Sequence, residues 1–338
     1  MTEMLLKPFL LFLLSVSLAG CSKSDNTNAN SSKTVHVVGD ENTTGFFEAV
    51  YWNNGVKTIL TPGNSNGVAN CIAISGNDVY IGGSETLPTL RYATIWKNGV
   101  PINLNHDNGH GTVNKLFISG QDVYAAGTYR SNLKEYIILW KNGVHQFIDS
   151  SSGATVVSGF QVVGNDVYIL GHIGSHSKLW KNGTLIDMYA DSDPVRRISI
   201  RISGNDVYVC GSMIMGSEEV PTIWKNGIPT YLPCLSDNGR VMQIEVIGED
   251  IFASGNYTAN NGNSVAVMWK NGVITPLSGE ENMSEALGLS VSGEDVYITG
   301  RMRTPPPVKL YAMVWKNGTP IQLSDGIGGA TGWDIIVK

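Results

Sequence analysis

The chain has 338 residues, more than one small domain needs, and it carries 39 glycines but only 15% charged side chains. This is the composition of a turn-rich globular protein and excludes a disordered one. A formal net charge of -6 and six scattered histidines leave no basic footprint, so nucleic acid is excluded as the expected partner.

The first predicted element is a targeting segment, residues 1–20. Lys7 precedes an apolar run from Phe9 to Leu14 and on to Leu18. That run is too short to cross a bilayer and reads as a signal peptide. It closes on Leu18-Ala19-Gly20-Cys21, which resembles the lipobox of bacterial lipoproteins. The resemblance implies that Cys21 is acylated and becomes the mature N-terminus, a membrane anchor to which each buried methylene adds ~0.8 kcal/mol. Ser22 stands where that family's inner-membrane retention signal is Asp. The resemblance therefore favours an outer-membrane lipoprotein of the bacterial cell envelope, facing either the periplasm or the surface. Residues 21–33 follow as a flexible tether, with no hydrophobic side chain larger than Ala after Cys21.

From residue 34 onward the chain repeats itself. Trp-Lys-Asn-Gly begins at Trp96, Trp140, Trp180, Trp224, Trp269 and Trp315, and Trp52 opens the variant Trp-Asn-Asn-Gly. A second motif runs in step: Gly-Asn-Asp-Val-Tyr or a close variant begins at Gly76, Gly120, Gly164, Gly204, Gly248 and Gly293. A period of about 40–45 residues carrying four short strands is the signature of propeller blades.

Each period reads as strands a to d. Strand a is the apolar run before Gly-x-Asp, as in Lys115–Ser119, and strand b starts at that Asp. Strand c ends in the Trp, and Asn-Gly closes the c–d hairpin with both central residues at positive φ. The Trp is expected to fill space between neighbouring blades. The Lys is expected at the exposed turn, where it discourages pairing along the outermost strand. The chain ends complete the set. Residues 34–39 match a strand b and 332–338 match a strand a. Joined, they make one blade from three N-terminal strands and the C-terminal strand. The expectation is an all-β, monomeric, seven-bladed propeller over residues 34–338, closed in this way. Strand b, its glycines, Tyr92 and Trp96 together resemble the kelch pattern, although the kelch double glycine occurs only at Gly82-Gly83.

Candidate site residues follow from the same layout. Along strand a, Ile72 and Ile74 and their equivalents alternate with a mixed set: Lys115, Gln161, Arg201, Gln243, Glu245 and Asp334. These face either the central channel or the next blade. The b–c and d–a connections are read as long, variable and gathered on one face, which is how binding surfaces are built on rigid scaffolds. On that face His106, His110 and Arg197 are binding candidates. His106 with Asp107 and His110, and His172 with His176, have no established metal spacing, so no metal or other cofactor is expected. Asp191, Asp193, Arg196 and Arg197 read as a self-paired solvated loop. Glu280, Glu281 and Glu285 offer carboxylates, and the Asp of each Gly-x-Asp reads as turn chemistry. Cys71, Cys210 and Cys234 are an odd count, so at least one thiol stays free, and the layout places a strand between the last two.

No catalytic motif appears in the sequence. The function expected is a non-enzymatic binding or scaffold module for a protein or cell-surface glycan. The alternative is a glycan lyase or hydrolase at the channel mouth.

Overall fold

The computed structural model describes residues 33–338 except 44, 62, 175, 187–194 and 237 and the side chain of Arg197. The expected signal peptide, Cys21 and the expected tether up to residue 32 lie outside the described residues. The rest is all-β: seven four-stranded antiparallel sheets, each a blade of a propeller. Numbered by their tryptophans, blade 1 carries Trp52, blade 2 Trp96, blade 3 Trp140, blade 4 Trp180, blade 5 Trp224, blade 6 Trp269 and blade 7 Trp315.

Blade 1 is completed as the sequence implies. Ala330–Val337 is its strand a and pairs with Val35–Asn42, followed by Phe47–Asn53 and Val56–Ile59. Thr34 and Lys338 exchange backbone hydrogen bonds of 2.6 and 3.0 Å. Lys33 reaches sideways to Asp295 of blade 7 at 2.8 Å. The ring therefore has no open end to cap.

The seven motif tryptophans are all at most 2% exposed. Each packs on the blade before it: Trp269, for example, shares a cluster with Tyr208, Ile223 and Leu232 of blade 5. The indole N–H of Trp140 donates across the same seam to the Leu104 carbonyl of blade 2, at 3.2 Å. The tryptophan is thus the glue between blades, and one residue per period supplies it.

Both turn motifs take the conformations their residues favour. In the c–d turn of blade 2, Asn98 and Gly99 have φ of 51° and 82°, the type I′ pattern. The a–b turn has positive φ only at its first central residue, Gly76, as in type II′.

The glycine that ends the strand-b motif has a separate cause. Strand a carries a β-bulge in every blade, at Asn70, Asn114 and Trp333 among others. The bulge turns a strand-a carbonyl toward strand b. A Cβ on Gly127 would lie 2.0 Å from the Thr112 oxygen, and one on Gly83 would lie 1.9 Å from that of Val68. Only glycine fits opposite the bulge.

Two expectations are corrected. The motif lysine does not guard the outermost strand. Lys97 lies opposite Tyr80 of strand b, bonds Asp78 at 2.8 Å and sits 5.1 Å from the Tyr80 ring. Asn98 completes the clasp: its side chain donates to Asp78 and accepts from the Val79 N–H, both at 2.8 Å. The clasp recurs at Asp122, Asp166, Asp206, Asp250 and Asp295. Second, the b–c connections are not all long. In blades 2 to 5 strands b and c run on past the apolar core and meet in two-residue hairpins. The longer b–c connections belong to blades 1, 6 and 7. The variable face is made chiefly by the d–a crossovers and by these polar hairpin extensions.

Candidate functional site

The seven strands a surround an axial cavity of about 290 Å³. Lys115, Arg201, Gln243, Glu245 and Asp334 all line it, from five positions spread over more than 200 residues of sequence. Arg201 and Glu245 are directly hydrogen-bonded as an ion pair, although the Arg201 Nε is buried without a partner. Burial pushes Arg201 below the ordinary arginine range. Asp334 accepts from the Ile72 N–H at 3.1 Å, linking blades 1 and 2. Burial raises its carboxyl above the ordinary range, opposed by the Lys115 charge. Gln243 accepts from Ser199 at 3.0 Å.

Gln161 takes the second of the two expected placements, facing the next blade rather than the channel. It is buried and bonds the Ile202 backbone on both sides, accepting at 2.6 Å and donating at 3.2 Å. Its role is to stitch blade 4 to blade 5, and it does not line the cavity. The channel is therefore a polar seam whose groups largely satisfy one another.

The long-loop face holds a more open arrangement over blade 3. A cleft of about 440 Å³ lies between Arg91 of blade 2, strands a to c of blade 3 and Thr155 of blade 4. His110, Arg130 and Glu135 stand side by side across blade 3, as partners in the strand register. Glu135 accepts from the Thr155 N–H at 2.8 Å. The His110 Nδ1 accepts from the Arg91 backbone N–H at 3.2 Å, which leaves its Nε2 as the donor in the neutral ring. Neither the Arg91 nor the Arg130 guanidinium has a hydrogen-bond or ion-pair partner among the described residues. A second hollow of about 600 Å³ shares His110 and Arg130 and extends to Asn108, Ser131 and the Asn132-Leu133 turn. That turn is strained: Leu133 has φ of 64° and is 84% exposed.

His106 sits apart from His110. Its ring stacks on His145 at 4.1 Å and contacts Tyr129 at 4.7 Å and Phe147 at 5.5 Å. Blade 3 makes this possible because its strand d, Val144–Ser151, has eight residues where the other blades have three or four. Phe147 remains 42% exposed. Tyr129 hydrogen-bonds Asp107 and is pushed up to about 12, first by burial and then by that carboxylate. The side chain of Arg197 lies outside the described residues, and its backbone pairs with Gly211.

The remaining candidates are engaged or dispersed. Arg196 and Arg240 both pair with Glu219. Asp191 and Asp193, the other members of the loop expected to pair with it, lie outside the described residues. Glu280 accepts from Tyr257 at 3.0 Å and Glu285 pairs with Arg301 at 2.8 Å. Among the described residues no three His, Cys, Asp or Glu converge on one point. Cys71, Cys210 and Cys234 are all free, and burial pushes the Cys210 thiol up to about 12. Arg91, Arg130, His145 and Phe147 were not legible as site residues. They lie outside the repeated motifs, and only the unusual length of strand d in blade 3 hints at them.

No protein-family model and no curated protein matches the sequence. Solved structures do match in shape. TolB from Acinetobacter baumannii superposes with a TM-score of 0.50 at 12% identity, covering 89% of this chain and 82% of that one. An acylaminoacyl peptidase from Pyrococcus horikoshii gives 0.51 at 13% identity, covering 87% of this chain. A puromycin-hydrolyzing peptidase from Mycobacterium tuberculosis gives 0.51 at 8% identity, covering 78% of this chain. The chain spans about half the length of each peptidase, 51% and 49%. The shared feature is the β-propeller. At these identities the likeness concerns the fold.

Proposed function

We propose that this protein is a monomeric, non-enzymatic binding or scaffold propeller of the bacterial cell envelope. It is tethered to the outer membrane through acylated Cys21, built from kelch-like repeats, and presents its long-loop face to a protein or cell-surface glycan. The observation that carries the reading is that Arg91 and Arg130 both line the open cleft over blade 3 with no side-chain partner among the described residues. A solvent-facing cleft with unsatisfied donors is how a rigid scaffold recognises a ligand. A glycosidase would need two available carboxyl groups about 5–10 Å apart. Here Glu245 is held by Arg201, Asp334 by backbone N–H groups, and Glu135 by Thr155.

The test is crosslinking and co-purification from intact cells, comparing the full chain with Cys21→Ala. A specific partner recovered only with the anchored form supports the reading. Turnover of a glycan by the purified chain, without any stable partner, overturns it.

A further inference from the structure

We propose that the cleft over blade 3 binds a carboxylated glycan, with Arg91 and Arg130 taking the carboxylate groups. This deepens the binding reading above and rests on it. The charge is the first argument. On a chain of net charge -6, two guanidinium groups flank one cleft; Glu135 lines it opposite Arg130 but is engaged by the Thr155 N–H, and neither guanidinium is ion-paired among the described residues. Arginine presents a planar fork of donors that matches a carboxylate in two parallel hydrogen bonds. The His110 Nε2 adds a third donor on the same side.

The rest of the wall selects a sugar over a bare anion. Thr112 and Thr128 supply hydroxyls in the cleft. In the adjoining hollow, which Asp107, hydrogen-bonded to Tyr129, also lines, Asn108, Ser131 and Asn132 supply amide and hydroxyl groups. Such groups both donate and accept, as a polyhydroxylated ligand requires. The two hollows, about 440 and 600 Å³, share His110 and Arg130, and each lies within the size range of organic-ligand sites. Tyr129 lines the cleft as a buried backing, its ring packed against those of His106 and Phe147.

The experiment is calorimetric titration of the purified full chain in detergent with a glucuronate-containing tetrasaccharide. The comparison ligands are its carboxyl-reduced neutral counterpart, inorganic phosphate and a hexaglutamate peptide. The acidic sugar is expected to bind at least about tenfold tighter than each of the three. Arg91→Gln and Arg130→Gln should each weaken it about tenfold, with the thermal midpoint unchanged.

Equal binding of the neutral sugar overturns the proposal, because charge is then not what is read. Phosphate or hexaglutamate binding as tightly as the sugar, with the same arginine dependence, overturns the glycan assignment in favour of a simple anion or an acidic peptide. No binding of the acidic sugar also overturns it. The intact-cell crosslinking then separates the two claims, since a partner recovered there keeps the binding module and removes only this ligand.

Discussion

On the short-turn face, Asp78, Lys97, Asn98 and Tyr80 satisfy one another, and the same clasp returns in blades 3 to 7 with Phe252 replacing the tyrosine once. On the long-loop face, Arg91 and Arg130 have no side-chain partner among the described residues, Leu133 is strained and exposed, and Phe147 is half-exposed. Both faces are drawn from one repeat. What recurs in six of the seven blades closes on itself, so its benefit is stability. What occurs once is left open, and an open group is available to a ligand. Blade 1 sharpens the lesson. It has Thr34, His36 and Asn53 where the clasp has Asp, Tyr and Lys, and it relies on the joined chain ends and on Lys33.

The contrast can be broken by substitution. Trp140→Ala should have the largest effect, a loss of about 3–5 kcal/mol in denaturant unfolding, because it empties the seam between blades 2 and 3. Gly127→Ala should cost about 3 kcal/mol in the same assay, since the new Cβ meets backbone that cannot yield without undoing the bulge. Asn98→Ala should cost about 1–2 kcal/mol, combining the loss of a residue tolerant of positive φ with the loss of its clasp bonds.

Acid tests the clasps together. Asp78, Asp122, Asp166 and Asp206 are held below the ordinary carboxylate range by hydrogen bonds from Lys97, Lys141, Lys181 and Lys225, and Asp295 by Lys33. A depressed folded pKa gives stability that is present above the unfolded value near 3.8 and is lost as pH falls through the folded one. Asp40 and Asp334 act in the opposite sense, because burial raises them and their ionisation costs stability as pH rises through the folded value. Glu85 is raised by burial as well, and the five lowered clasp carboxylates outnumber these three. Tm should fall as pH drops below about 4, and a double variant Asp78→Asn with Asp122→Asn should show a flatter profile. A variant as steep as the parent would remove the clasps as the source.

The smallest stability effect belongs to the other face. Arg91→Gln with Arg130→Gln should move unfolding free energy by no more than about 0.5 kcal/mol, because nothing in the fold depends on them. A larger loss would mean that these groups are structural and would blur the division between the faces.

Much of the architecture was legible because its causes are local. Asn98-Gly99 announces its turn in two residues, Trp140 names the seam it fills, and residues 34–39 and 332–338 match strands b and a of one blade. The role of Lys97 was misplaced because the sequence shows it beside a turn and not opposite Tyr80. That pairing depends on strand register. The glycines after strand b were visible as a pattern, yet their reason, a bulge carbonyl about 2 Å away from any added Cβ, exists only when two strands are laid together.

The sequence by itself determined the repeat, its turns, its blade count and its closure, since each is written within one period or in the likeness of the two ends. Only the tertiary structure decided which polar groups are spent and which are free. Arg91, His110, Arg130 and Thr155 meet over blade 3 because the ring turns three consecutive blades toward one cleft. Gln161, identical in kind to Gln243 along the chain, is turned away to stitch two blades together. Such choices are made by packing between blades, and no spacing along one strand records them.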